Sequence, residues 1–232
     1  MVSSRRSRTL IILALLIALA AVCVFMDLSW VSEKKCYSFS KVWDILTGNG
    51  TWAEETIVFE INAPRIVAGL FVGAGLAVTG AAMQAVFRNP LASPYILGLS
   101  SGASLGAAIG MLFTIPFIPA IVATPILSFI TCFATMILVY AMSRAGGGVK
   151  TETLILSGVA VSSLLSALVS FLTFISGDKL EGIVFWTMGN LGNADWSEIA
   201  FIAPMITVCS ILLITQAKPL NAMMIGDSHA MD

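Results

Sequence analysis

Six stretches of the chain are almost purely apolar, and short polar segments separate them. They fall near residues 10–26, 66–87, 95–113, 120–142, 153–176 and 197–217. A bilayer core requires about 20 apolar residues of helix, so the pattern predicts six membrane helices. Backbone groups in lipid must bond within their own segment, which nearly forces the helical state. The third run is short and glycine-rich. Pro116, Pro119 and Pro125 punctuate the entry to the fourth and fit a turn followed by a first helical turn. Pro204 sits early in the sixth, where a kink is expected.

Two of the runs carry small residues at every fourth position. The first ladder is Gly69, Gly73, Ala77, Ala81 and Ala85; the second is Gly98, Gly102, Gly106 and Gly110. Glycine weakens a helix in water by roughly 1 kcal/mol relative to alanine. In lipid, small residues at i, i+4 let another helix approach closely. Between the ladders lies Phe87-Arg88-Asn89-Pro90-Leu91-Ala92-Ser93-Pro94. Arg88, Asn89 and Pro90 make a stiff polar corner, and prolines at 90 and 94 restrict where the next helix starts. The prediction is a re-entering pair of tightly packed helices joined by a short turn.

Composition agrees with a polytopic membrane protein. The 232 residues are 58% hydrophobic and 11% charged, where a soluble domain carries about 25% charge. Orientation follows from the loops. With the N-terminus cytoplasmic, the inner side holds Arg5, Arg6, Arg8, Arg88, Arg144, Lys150 and Lys218 against three acids. The outer side holds five basic residues against ten acids. An alternative for the first run is a signal peptide, with Arg5, Arg6 and Arg8 as its basic end and Ala18-Leu19-Ala20 as a cleavage site. The apolar run continues past Ala20 and five more follow, which favours a retained helix. Residues 27–64 form an outer loop in which Phe39, Val42, Trp43, Ile45 and Leu46 predict a short interfacial helix. In the second outer segment, 177–196, Phe185, Trp186 and Trp196 make an aromatic belt.

Charge and chemistry then narrow the function. No charged residue lies inside a predicted span, which argues against proton-coupled transport, ion pumping and membrane enzymes. No GxxxxGK[ST] loop occurs, so any ATP hydrolysis belongs to another chain. One histidine, His229, and four scattered cysteines without a CxxC give no metal site and no disulfide framework. A net charge of −1 and no basic stripe disfavour nucleic acid. Ser162, Ser166 and Ser170 form a hydroxyl stripe on the fifth run, either a polar wall of a substrate pathway or hydroxyls bonded to their own and neighbouring helices. The C-terminal segment 218–232 reads as a short helix, a break at Gly226 and the start of a second helix at Asp227 or Ser228. It is either a docking element for a partner or a frayed tail.

Six blocks in sequence order carry a resemblance. They are Glu60-Ile61-Asn62-Ala63-Pro64-Arg65, Gly80 to Ala92, Leu97 to Ala103, Leu156 to Ser162, Phe185 to Asn190 and Leu220 to Asp227. Together they resemble the FecCD family of ABC-importer permeases, which serve iron-siderophore, haem and cobalamin uptake. The resemblance implies an all-α polytopic bundle, with residues 1–232 as one transmembrane permease domain carrying about six of roughly ten family helices. It implies a second permease subunit, identical or related, two cytoplasmic ATPases that bind the ATP, and an extracytoplasmic binding protein. The family's coupling helices match 219–232, making Leu220, Gly226, Asp227 and Ala230 candidate ATPase contacts. The family's fifth helix lines the pathway, which places Ser162, Ser166 and Ser170 there. Arg65 occupies the position of an outer arginine that pairs with acids on the binding protein.

Two departures from the family pattern stand out. Where the family has Arg-Leu-Pro-Arg, this chain has Asn62-Ala63-Pro64-Arg65, so one docking charge is replaced by Asn62. Exposed ion pairs contribute only about 0–1 kcal/mol each, so docking need not fail. The chain also stops inside the coupling loop, after six predicted spans. The expectation is therefore an importer permease or its N-terminal portion, with a non-transporting fragment (a relic, or half of a split permease) as the alternative.

Overall fold

Apolar runs longer than a bilayer is thick fold here as long helices whose side chains face outward rather than into a core. The computed structural model describes residues 2–32, 35–113, 116, 118–145 and 150–225. Among them, five helices are long and apolar enough to cross a membrane: Ser7–Ser29, Trp52–Phe87, Ile121–Arg144, Thr151–Ile175 and Trp196–Thr215. Phe174 and Ile121 are more than four-fifths exposed, an arrangement that water would oppose and lipid tails favour. The molecule is a multi-pass, all-α membrane protein.

In chain order the elements are α1 (Val2–Ser29), the strands β1 (Trp30–Ser32) and β2 (Lys35–Cys36), α2 (Phe39–Leu46), α3 (Trp52–Glu55), a π-helical stretch (Thr56–Asn62) and α4 (Ala63–Phe87). Then come a 3₁₀ turn (Pro94–Leu97), α5 (Leu99–Leu112), α6 (Ala120–Arg144) and α7 (Thr151–Ile175). The last are a 3₁₀ turn (Gly177–Lys179), α8 (Leu180–Met188), α9 (Trp196–Thr215) and α10 (Ala217–Ile225). The chain divides into two compact units, Met1–Gly75 with Leu191–Cys209, and Leu76–Asn190 with Ser210–Asp232.

In the first unit, α1 continues unbroken beyond Ala20 and ends at a small antiparallel ribbon of β1 and β2. Tyr37 N–H donates to Ser29 O at 2.7 Å, closing the ribbon's base. The short helix expected in the 27–64 loop is α2. Ser38 caps its N-terminus, Val42 and Ile45 are buried, and Phe39 packs on Phe25 of α1 with centroids 5.3 Å apart. Lys41 of α2 pairs with Glu54 at 2.8 Å. Its hydrogen bond to that carboxylate raises the Lys41 ammonium above its ordinary value.

The second unit is organised around α5, and here the structure departs from the predicted spans. The third run is not a full-length membrane helix. Its start is a 3₁₀ turn, and α5 has 14 residues, about 21 Å of rise against a core of about 30 Å. A helix too short to span a bilayer is tolerated where protein encloses it. Gly102, Ser104, Gly106, Ala107, Ala108 and Gly110 are buried, and α5 packs against α6, α7 and α8. Pro119 caps α6, while Pro125 lies inside the helix rather than in its first turn. Pro204 lies inside α9.

Candidate functional site

The two glycine ladders behave differently. In the second, a Cβ at Gly102 would lie 2.9 Å from Thr135 Cβ, and one at Gly110 would lie 2.8 Å from Thr124 Cα. At Gly106 the added atom would meet Thr131 Oγ1 and the Leu127 carbonyl. The partner face on α6 is a hydroxyl row, Thr124, Ser128, Thr131 and Thr135. Three of these donate to their own helix: Ser128 to Thr124 O, Thr131 to Leu127 O and Thr135 to Thr131 O, each at 2.7 Å. Those bonds turn three of the row's four hydroxyl donors back onto α6, so glycine can lie flat on it. Sequence reasoning missed this row, although its i, i+4 and i, i+3 spacing was a visible signal. The first ladder makes no such seam among the described residues. Gly73 has nothing within 4 Å of an added Cβ, and Gly69 has only Leu191 Cδ1 at 3.9 Å. Gly75, outside the ladder, is the closer neighbour, 3.0 Å from Ile206 Cγ2.

The α7 hydroxyls are brought against α5 unequally. Gly98 takes φ 74° at the N-cap of α5, and a Cβ there would lie 2.5 Å from Ser162 Oγ. Ser162 donates to Gly158 O at 2.6 Å and is therefore engaged in seating this turn. Ser166 is exposed and shares a 3.1 Å hydrogen bond with Ser101. Ser170 is exposed. Another contact the sequence did not signal is Lys179, whose ammonium donates to Met111 O at 2.6 Å and Leu112 O at 3.3 Å. It caps the carbonyl end of α5, where a cation is favoured.

In the first unit, Asn62 and Arg65 lie one turn apart and have different surroundings. Asn62 is only 2% exposed. Its amide donates to Trp30 O at 2.7 Å and Leu28 O at 3.3 Å, pinning the end of the π-helical stretch to the α1–β1 junction. The side chain expected to face a docking partner is thus turned inward, because two carbonyls at a chain reversal need donors. Arg65 is loosely held. Its Nη1 is 3.8 Å from Asp27, its Nη2 donates to Gly192 O at 3.4 Å, and its buried Nε has no partner among the described residues. Trp196 Nε1 donates to Phe59 O within the π-helical stretch at 2.9 Å.

The corner at Arg88, Asn89 and Pro90 is a helix stop built without glycine. Arg88 takes φ 49°. Arg88 N–H bonds Ala85 O at 3.2 Å and Asn89 N–H bonds Gln84 O at 3.2 Å, the paired reversal of a Schellman ending. Asn89 Oδ1 accepts from Leu91 N–H at 2.9 Å, and Gln84 Nε2 donates to Pro90 O at 3.0 Å. Arg88 Nε donates to Met223 O at 2.6 Å, joining this corner to α10. Leu220 lies half-buried on α10. Gly226, Asp227 and Ala230 lie outside the described residues. Among those described, no three His, Cys, Asp or Glu are grouped to hold a metal.

Comparison with known proteins gives a single answer. The FecCD transport family model matches residues 15–232. A hemin transport system permease protein, HmuU of Yersinia pestis, is 38% identical over 196 residues, 83% of this chain and 58% of its own length. A cobalamin import system permease protein, BtuC of Halobacterium salinarum, is 39% identical over 76% of this chain and 47% of its own. A molybdate import system permease protein, MolB of Haemophilus influenzae, is 34% identical over 76% of this chain and 52% of its own. The chain spans about half the length of the curated relatives it matches. A solved structure described as an inward-facing conformation of a metal-chelate type ABC transporter superposes with a TM-score of 0.77 at 29% identity. That superposition covers 95% of this chain and 66% of the other. With a family model matched from residue 15 to residue 232 and a structure that superposes along nearly the whole chain, this protein belongs to the FecCD transport family.

Proposed function

We propose that this chain forms part of the permease subunit of an ATP-driven ABC importer for metal chelates of the iron-siderophore, haem or cobalamin type. It sits in the cytoplasmic membrane with its N-terminus inside. It pairs with a second permease subunit, takes its energy from two cytoplasmic ATPases that bind ATP, and receives cargo from an extracytoplasmic binding protein. The observation that carries the reading is the family match from residue 15 to residue 232. The absence of a phosphate-binding loop in the sequence is consistent with ATP hydrolysis on another chain.

Residue roles follow from what each side chain has left to offer. Arg65 takes the binding-protein contact: a guanidinium has five donors, and its bonds to Asp27 and Gly192 are long. An incoming carboxylate would complete it. Asn62 acts behind it as a structural pin. Exposed Ser166 and Ser170 take the pathway-lining role more readily than Ser162, which is engaged at Gly98. Leu220, with Gly226, Asp227 and Ala230, takes the ATPase contact.

The test is co-purification of the full-length protein from its native membrane, followed by uptake of ferric siderophore, haem, cobalamin and molybdate. Recovery of an ABC ATPase, with uptake of one chelate that Gly226→Pro abolishes, is the expected result. Failure to recover any ATPase under any nucleotide condition would refute the reading.

A further inference from the structure

We propose that Arg88 is a positioning residue that latches the C-terminal end of α10 to the turn after α4, so that the two move as one piece. The proposal rests on the reading of α10 as the start of the coupling segment, and it adds a link that this reading does not contain.

Three observations carry it. The first is the backbone of Arg88, left-handed at φ 49°. Glycine adopts this conformation without strain and arginine does not, so a side chain is kept where the backbone would be easier without one. The second is what that side chain reaches. Its Nε donates at 2.6 Å to Met223 O, 135 positions away in the sequence. Met223 lies in the last described turn of α10, and a backbone carbonyl has two lone pairs, so it can accept from a side chain as well as from a backbone N–H. A cationic donor makes the stronger kind of hydrogen bond to it.

The third is the stiffness of the corner that holds Arg88. Its own N–H and that of Asn89 are tied back to Ala85 and Gln84, Gln84 Nε2 holds Pro90 O, and Asn89 Oδ1 holds Leu91 N–H. Pro90 fixes the backbone further. On the other side, Pro219 lies in the first turn of α10 and has no N–H to continue the ladder of α9. The chain can therefore bend between α9 and α10, and the Arg88 bond sets where the far end of α10 sits. Displacing α10 pulls on the end of α4 and on the turn leading to α5.

The variant that isolates the side chain is Arg88→Gly, which suits the left-handed backbone and removes the whole side chain with its guanidinium. Arg88→Lys keeps the charge and much of the reach. The full-length protein, assembled with its ATPase in proteoliposomes, carries nitroxide labels at exposed Leu91 and Met224, with Cys23, Cys36, Cys132 and Cys209 replaced by alanine. Electron-spin distance measurement is expected to give one narrow distribution with Arg88. With Arg88→Gly the docked population falls by about fivefold, and Arg88→Lys restores part of it at an unchanged unfolding temperature. An unchanged distribution in Arg88→Gly would overturn the latch, whatever happens to transport. The second readout is cargo moved per ATP hydrolysed. If the labels separate while that ratio holds, the latch stands and the coupling reading of α10 fails; if both change, both stand.

Discussion

A single methyl group at Gly106 is the most exacting test of the second unit. The added Cβ would lie 2.6 Å from the Leu127 carbonyl carbon, and closer to Leu127 O and Thr131 Oγ1. None of these atoms is the free end of a flexible side chain. Thr131 Oγ1 is held by Leu127 O at 2.7 Å and Ser128 O at 3.2 Å, and turning it away would lose a bond of about 1 kcal/mol. The helices must therefore separate by about 1 Å, which forfeits a quarter to a half of each dispersion contact along the seam. Overpacking of this kind costs about 1–3 kcal/mol. The higher helix propensity of alanine returns at most about 1 kcal/mol. The expected net loss for Gly106→Ala is about 1 kcal/mol, a fall of roughly 3 °C in unfolding temperature. Gly73→Ala is the matched control, because nothing lies within 4 Å of its added Cβ; it should unfold at or above the parent temperature. The assay is tryptophan fluorescence and helical circular dichroism during heating in one detergent. Equal unfolding temperatures for the two variants would refute the account of the seam.

Three further outcomes are expected. Asn62→Asp keeps the shape but removes both donors and places a carboxylate before Leu28 O and Trp30 O, at a loss of about 2–3 kcal/mol; an unfolding temperature within 2 °C of the parent would rule that pin out. Lys179→Met should lower stability by about 0.5–1 kcal/mol by uncapping α5, with Lys179→Arg restoring it, and thermal unfolding of both variants checks this. Arg65→Ala in the full importer should weaken binding-protein affinity by about fivefold or less, as expected for a partly exposed charge, and the loss should shrink at high salt; a salt-independent loss would place the contact elsewhere.

The sequence alone determined the solvent and, through it, the class of fold. Apolar runs of bilayer length with no internal charge leave helix as the stable state, and those runs become α1, α4, α6, α7 and α9. Local signals were equally legible: the turn at Arg88-Asn89-Pro90, the amphipathic α2 and the glycine spacing of α5 all appear where the pattern put them. Tertiary structure decided which of two similar patterns is used. Both ladders carry small residues at i, i+4, yet among the described residues only the second meets a hydroxyl row on a facing helix, because close approach depends on the partner's surface as well as the helix's own. It also decided that α5 is a short enclosed helix, since a membrane helix need span the bilayer only when lipid surrounds it. Direction of side chains was likewise hidden. Asn62 and Arg65 share one motif, but two unsatisfied carbonyls at the α1–β1 junction draw Asn62 inward and leave Arg65 loosely held. The bond from Arg88 to Met223 joins residues that no local pattern relates, and it forms because the fold brings a carbonyl of α10 beside the cationic stop of α4.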